Sequence, residues 1–249
     1  MSNRYARHIA LAGVGAEGQA KLGRARVLVV GLGGLGCPAA LYLATSGIGR
    51  LVLNDFDRVD VTNLPRQILF APEDVGALKV DAARKRLMVL NPEADVVTLP
   101  ERLDGAALEA AVAEVDVVLD GTDNFTTRFA VNRACVARRV PLVSGAAVRV
   151  EGQIAVFPNR GDGPCYACLY SDEDEFLGDC QGNGVLAPVP GVIGTLMAEE
   201  ALKLALGWDS ALHNRLLLWD AKRGDWQSVA LKRDPECLVC TAPRVTSGG

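Results

Sequence analysis

The 249-residue chain has no basic surplus: 30 Asp and Glu outnumber 26 Lys and Arg, the formal net charge is −4, and no basic run exceeds three residues. A general nucleic-acid binder needs a positive stripe for the phosphate backbone, so that class is excluded. The balance of a disordered chain is missing too, since 49% of residues are hydrophobic and 22% charged, enough apolar mass for a substantial core. The opening MSNRYARHIA lacks the apolar core of a signal peptide, which makes a cytoplasmic protein the expectation. Seven cysteines, an odd number without small-domain spacing, argue against a disulfide framework. One uncharged run, Val27 to Gly49, is long enough to span a bilayer. It holds six glycines and Pro38 and reads as strand, turn and buried helix, so no membrane association is expected. No internal repeat is present.

What is there is a strand–helix alternation. Apolar runs predict strands at 26–31, 50–55, 94–99, 115–120 and 141–146. Between them, helices are expected over 34–46, 78–90 (stopped by Asn91-Pro92), 104–113 (capped by Asp104) and 124–138. Beyond 146 the style changes. A strand at 149–158 follows its predecessor almost directly, 159–184 is Gly- and acid-rich with little periodicity, and a helix over 191–206 precedes strands around RLLLWD and WQSVAL. The expected fold class is α/β: a Rossmann-like nucleotide-binding fold whose parallel sheet is continued by antiparallel C-terminal strands. The tail TAPRVTSGG is expected to be disordered.

Gly31, Gly33 and Gly36 fit G-x-G-x-x-G between a predicted strand and a predicted helix. The first glycine permits the tight turn, the second a close phosphate, and the third helix–strand packing. Asp55 follows at the end of the next strand, where a carboxylate can take a ribose hydroxyl pair. The pattern points to a nucleotide without saying which, and an NAD-dependent oxidoreductase fits it. Further residues lean elsewhere. N-L-P-R-Q brings Asn63, Arg66 and Gln67 near the open end of the sheet, where a guanidinium can grip phosphate oxygens; by itself Arg66 reads as a surface arginine. Lys79 starts a helix, against the dipole, which suits a nearby polyphosphate or a solvated lysine equally. In G-T-D-N, Asp123 lies beyond a parallel strand end, where it can hold Mg²⁺, while Asn124 can cap the next helix. Arg4 and Arg7 precede the first strand and read by default as a basic frayed terminus.

Cys165-Tyr-Ala-Cys168 and Cys237-Leu-Val-Cys240 are two C-x-x-C pairs, 69 positions apart from Cys168 to Cys237. Four thiolates suit a closed tetrahedral Zn²⁺ site, with a redox C-x-x-C as the rival. Cys37 and Cys135 fall within predicted helices and read as buried packing residues. Cys180 lies in SDEDEFLGDCQGNG, whose carboxylates disfavour a thiolate, so by chemistry it reads as an ordinary loop cysteine.

Taken in order, RYARHI, GLGGLG, LNDFD, NLPRQ, GALKV, GTDN, SGA, CYAC, GVIG and CLVC resemble the MoeB/ThiF family of ubiquitin-activating-like adenylyltransferases over nearly the whole chain. The resemblance implies a homodimer that binds ATP and Mg²⁺ and adenylates the C-terminal Gly-Gly carboxylate of a ubiquitin-like sulfur-carrier protein, for molybdenum-cofactor or thiamin biosynthesis. By the same match, Gly31, Gly33, Gly34 and Gly36 form the nucleotide loop and Asp55 takes the ribose. Asn63, Arg66 and Lys79 match the polar groups around the phosphates, with Gln67 of the same segment a further cofactor-binding candidate; Asp123 is the magnesium-associated aspartate, and Arg7 reaches the ATP site of the other subunit. Cys165, Cys168, Cys237 and Cys240 become zinc ligands, and Cys180 a crossover-loop cysteine used in sulfur transfer by some members. One domain over 1–249 is implied, its nucleotide half at 26–146 and its carrier and zinc half at 147–243. Pro65 and Gly121 depart from the family's usual residues. The rivals are the oxidoreductase, which leaves Arg66, Lys79 and Asp123 without a shared purpose, and a non-catalytic carrier-binding module.

Overall fold

The computed structural model describes residues 3–161, 163–171 and 184–241. Five parallel strands come first: β1 (Arg26–Val30), β2 (Arg50–Asn54), β3 (Val96–Leu99), β4 (Val117–Asp120) and β5 (Leu142–Val148). Three antiparallel strands then extend the same sheet: β6 (Glu151–Phe157), β7 (Arg215–Asp220) and β8 (Asp225–Ala230). The order is β3-β2-β1-β4-β5-β6-β7-β8, so the chain reverses its direction of winding between β1 and β4. Ligands of such sheets bind at that switch point, outside the carboxyl ends of the strands. The α/β class and the antiparallel continuation are as the sequence leads one to expect.

Among the described residues, seven α-helices accompany the sheet: α1 (Ala6–Ile9), α2 (Gly15–Leu22), α3 (Gly36–Thr45), α4 (Lys79–Leu90), α5 (Gly105–Ala113), α6 (Phe125–Arg138) and α7 (Pro188–Leu206). Strand residues alternate between two cores. Val27, Val29, Leu51, Leu53, Val117, Leu119, Val143 and Ile154 face the layer that includes α3 and α7. Leu28, Val30, Val118, Leu142, Ala155 and Phe157 face the layer of α5 and α6. Both sheet faces are covered, which is why the parallel strands read as unbroken apolar runs.

Local chemistry sets the helix ends. The Asn124 side chain accepts from the Thr127 N–H at 2.9 Å and starts α6, which ends on Arg139 in the left-handed region. Pro188 opens α7 and Gly207, at φ +75, closes it. Asp104 precedes α5 but makes no side-chain cap bond. The N-terminus is not frayed at Arg4, whose Nη1 donates to the Leu90 carbonyl at 3.0 Å. No helix among the described residues is long and apolar enough to cross a membrane. The expectations placed on Cys180 and on the disordered tail after Thr241 lie outside the described residues.

Candidate active site

At the end of β1 the chain turns through Gly31, whose φ of +86 is in the region that favours glycine. A Cβ on Gly36 would stand 1.9 Å from the Gly31 carbonyl oxygen, so α3 begins in backbone contact with the turn. The Leu32 N–H in this loop donates to Asp55 Oδ2 at 2.7 Å, and the Asp57 N–H to Asp55 Oδ1 at 2.8 Å. Burial pushes the Asp55 carboxyl up, while the Lys79 ammonium and the two N–H donors pull it back. Lys79 is itself buried at 6% exposure, with Nζ 2.9 Å from Asp57 Oδ2 and 3.9 Å from Asp55 Oδ2. The lysine that opposes its helix dipole is therefore held by two carboxylates of the D-F-D segment.

The N-L-P-R-Q segment forms the facing wall. Asn63 does not reach the cavity: its Oδ1 accepts from the Asp60 N–H at 3.3 Å, and its carbonyl accepts from the N–H groups of Arg66 and Gln67. It thereby shapes the turn that presents those two side chains. Arg66 Nη1 donates to the Thr62 carbonyl at 3.0 Å, and the buried Gln67 Oε1 has no hydrogen-bond partner among the described residues.

The wall after β4 is built on Asp120 and Arg128. Asp120 is wholly buried, and its Oδ1 accepts from Thr122 N (3.0 Å) and Oγ1 (2.7 Å). Burial pushes its carboxyl up, and the Arg128 guanidinium and Thr122 oppose that. Arg128 Nη2 donates to the carbonyls of Thr122 and of Gly145, the latter at 3.1 Å, tying the 121–124 loop to β5. Asp123 is left exposed at the loop's tip.

These walls enclose a cavity of about 520 Å³ lined by Gly31, Gly33, Gly34, Asp55, Arg66, Gln67, Lys79 and Asp123. Gly36 packs beneath it and Arg7 is exposed on α1, apart from it. Asp57, Arg102 and Arg128 also line it and were missed from the sequence. The second acid of D-F-D was a usable signal for Asp57. Arginines in a loop and on a helix carry none, because most are solvated.

Cys165, Cys168, Cys237 and Cys240 converge, with all four sulfurs within 4.8 Å of one another. The Sγ separations of 3.8 Å (Cys165 to Cys237) and 3.5 Å (Cys168 to Cys240) match the edge of roughly 3.8 Å that four ligands at the Zn–S distance would span. This donor set can bind zinc. Asn132 supports it from α6, with Nδ2 3.5 Å from Cys165 Sγ and Oδ1 accepting from the Tyr166 N–H at 3.0 Å.

Cations gathered at the switch point of a doubly wound sheet are suited to a phosphorylated nucleotide, and the cysteine tetrad adds a metal centre to the same chain. The chain belongs to the ThiF family, whose model matches residues 5–239. Among curated relatives it is 47% identical over 237 residues to the sulfur carrier protein ThiS adenylyltransferase of Escherichia coli, covering 95% of this chain and 94% of that one. It is 46% identical over 237 residues to the molybdopterin-synthase adenylyltransferase of Escherichia coli, covering 95% of each. The crystal structure of Escherichia coli MccB with ATP superposes with a TM-score of 0.82 at 28% identity, covering 96% of this chain and 75% of that one.

Proposed function

We propose that this protein is an adenylyltransferase that uses ATP to activate the C-terminal Gly-Gly carboxylate of a ubiquitin-like sulfur-carrier protein, for molybdenum-cofactor or thiamin biosynthesis. The observation that carries the reading is one cavity at the switch point that combines a glycine loop, Asp55, two cations (Arg66 and Lys79) and Asp123. An NAD-dependent enzyme has no use for that combination. Relatives with adenylyltransferase names at 46–47% identity over nearly the whole chain support it from outside.

In this reading the carboxylate needs no covalent help. Its oxygen attacks the α-phosphorus, the bond to the β-phosphate oxygen breaks, and pyrophosphate leaves. The barrier lies in bringing like charges together, so the residues that offset charge and hold the reactants in line supply the catalysis. Asp55 would hold the ribose, Arg66 and Lys79 the phosphates, and Gln67 Oε1 would find its partner on the nucleotide. Asp123 would hold Mg²⁺, which supplies further charge neutralisation; its exposed carboxylate at a strand end suits a cation that keeps most of its waters.

We place the protein in the cytoplasm as a homodimer of one domain over 1–249, in which Arg7 completes the partner's nucleotide site. Carrier-dependent exchange of labelled pyrophosphate into ATP is the expected activity. Absence of exchange with every Gly-Gly carrier, in folded and zinc-loaded protein, would sink the assignment. Asp123→Ala is expected to abolish exchange while leaving the fold intact. Arg7→Ala and Asp123→Ala chains are each expected to be inactive, and an equal mixture to recover about a quarter of wild-type turnover, the statistical yield of complete sites in a dimer. No recovery after subunit exchange would count against the shared site.

A further inference from the structure

The packing of α1 does not explain where that helix sits. It is four residues long, buries none of them, and is too short to hold itself. The two residues before it do the holding. Arg4 Nη1 reaches the Leu90 carbonyl at the end of α4. Tyr5 is half-buried, and its ring lies directly on Gly47, which has a φ of +82; a Cβ there would stand 2.7 Å from Tyr5 Cζ. The Tyr5 hydroxyl accepts from Asn91 Nδ2 at 3.1 Å, and the same amide donates to the Ala44 carbonyl in the last turn of α3 at 2.7 Å. Asn91 is 1% exposed, and it directs one amide hydrogen into the fold and the other onto the N-terminal segment.

A buried amide and a glycine are thus both fitted to this tyrosine, and what the anchorage presents is Arg7. Two residues on, Arg7 is exposed and makes no hydrogen bond or ion pair among the described residues. It takes no part in lining its own chain's nucleotide cavity. The helices explain why. Both α3 and α4 begin beside the cavity, at Gly36 and Lys79, and both end at the anchor. The twelve residues of α4, at about 1.5 Å each, put Asn91 about 18 Å from Lys79. The anchor therefore holds Arg7 at a fixed place on the surface, at the far end of the two helices from the groups that face phosphate.

We propose that Tyr5, seated on Gly47 and bonded to Asn91, is a positioning residue for the nucleotide site of the other subunit: it fixes the short helix so that Arg7 enters the cavity of a second copy of this chain. The inference rests on the adenylyltransferase reading with its shared site, and adds the residue that makes the sharing work. An arginine on an unanchored segment loses conformational freedom whenever it meets a phosphate, whereas an anchored one has lost it already on folding. Loss of Tyr5 should then be felt in the partner's site and not in its own.

Subunit mixing tests this, with full-length, zinc-loaded chains, a Gly-Gly-terminated ubiquitin-like carrier and exchange of labelled pyrophosphate into ATP. Tyr5→Ala homodimers are expected to lose about a hundredfold in exchange, the order that a misplaced group costs. Tyr5→Phe keeps the ring on Gly47 and gives up one hydrogen bond, for a loss of about fivefold. Zinc content and sedimentation as a dimer serve as fold controls. Mixed equally with Asp123→Ala, Tyr5→Ala is expected to recover about a quarter of wild-type exchange, because in the heterodimer its intact cavity receives a well-held Arg7. Mixed with Arg7→Ala it is expected to recover nothing, because both variants damage the same donated arginine. A merely structural role would damage the chain's own cavity and give recovery with Arg7→Ala. Any such recovery, recovery with neither variant, or full exchange by Tyr5→Ala overturns the inference and leaves the adenylyltransferase reading standing. Absence of exchange by the wild type with every such carrier overturns both.

Discussion

At the scale of single residues, the two buried aspartates have different tasks. Asp55 accepts from two backbone N–H groups and keeps Lys79 close, so it stays suited to a hydroxyl-rich ligand. Asp120 has one oxygen satisfied by Thr122 and the other without a hydrogen-bond partner among the described residues. Its carboxyl is pushed up by burial, so between the ordinary value near 3.9 and the raised one the folded chain holds a proton that the unfolded chain releases. The contribution of this group to stability is therefore present in acid and lost as pH rises through the raised value. Asp120→Asn is expected to flatten urea stability against pH in that window and to raise stability at neutral pH. A variant curve that runs parallel to the wild type's would exclude Asp120 as the source.

At the scale of elements, the glycines of the first turn separate packing from binding. Alanine at Gly36 would drive a Cβ into the Gly31 carbonyl, whereas at Gly33 the nearest atom is Gln67 Nε2 at 4.0 Å. Gly36→Ala is expected to cost about 3 kcal/mol or to prevent folding. Gly33→Ala is expected to fold within about 0.5 kcal/mol of wild type and to bind nucleotide at least roughly tenfold less tightly. Urea unfolding beside nucleotide titration checks both.

The strands and the five long helices were legible because each carries a strong period or a named stop, as Asn91-Pro92 does for α4. The helix α2 was not. Its sequence GAEGQAKL contains two glycines, and it forms because Gly18 and Leu22 pack closely, Gly18 against Leu206 of α7. The start of α7 was read three residues late because Pro188 and Pro190 look like loop residues rather than a first turn. Motif spacing led to the residues around the nucleotide cavity. The acidic row of Glu151, Asp220 and Asp225 went unread, because it exists only where β6 pairs with the β7–β8 hairpin, far along the chain.

At the scale of the whole molecule, the cysteine tetrad adjoins a cavity over β6, β7 and β8 through Tyr166, which stands between two of the four cysteines. The other described cysteines, Cys37 and Cys135, are wholly buried, and burial pushes the Cys37 thiol up to about 12. Iodoacetamide is expected to modify no more than one thiol in the zinc-loaded chain, and four more once a chelator strips the tetrad. Rapid labelling of several thiols before chelation would contradict the closed tetrad. Thiol exchange needs a free thiolate, and none of the six described cysteines offers one while zinc is bound. Sulfur chemistry on this scaffold would then fall to Cys180, outside the described residues: the tetrad withholds its four thiolates from exchange as well as clamping the chain.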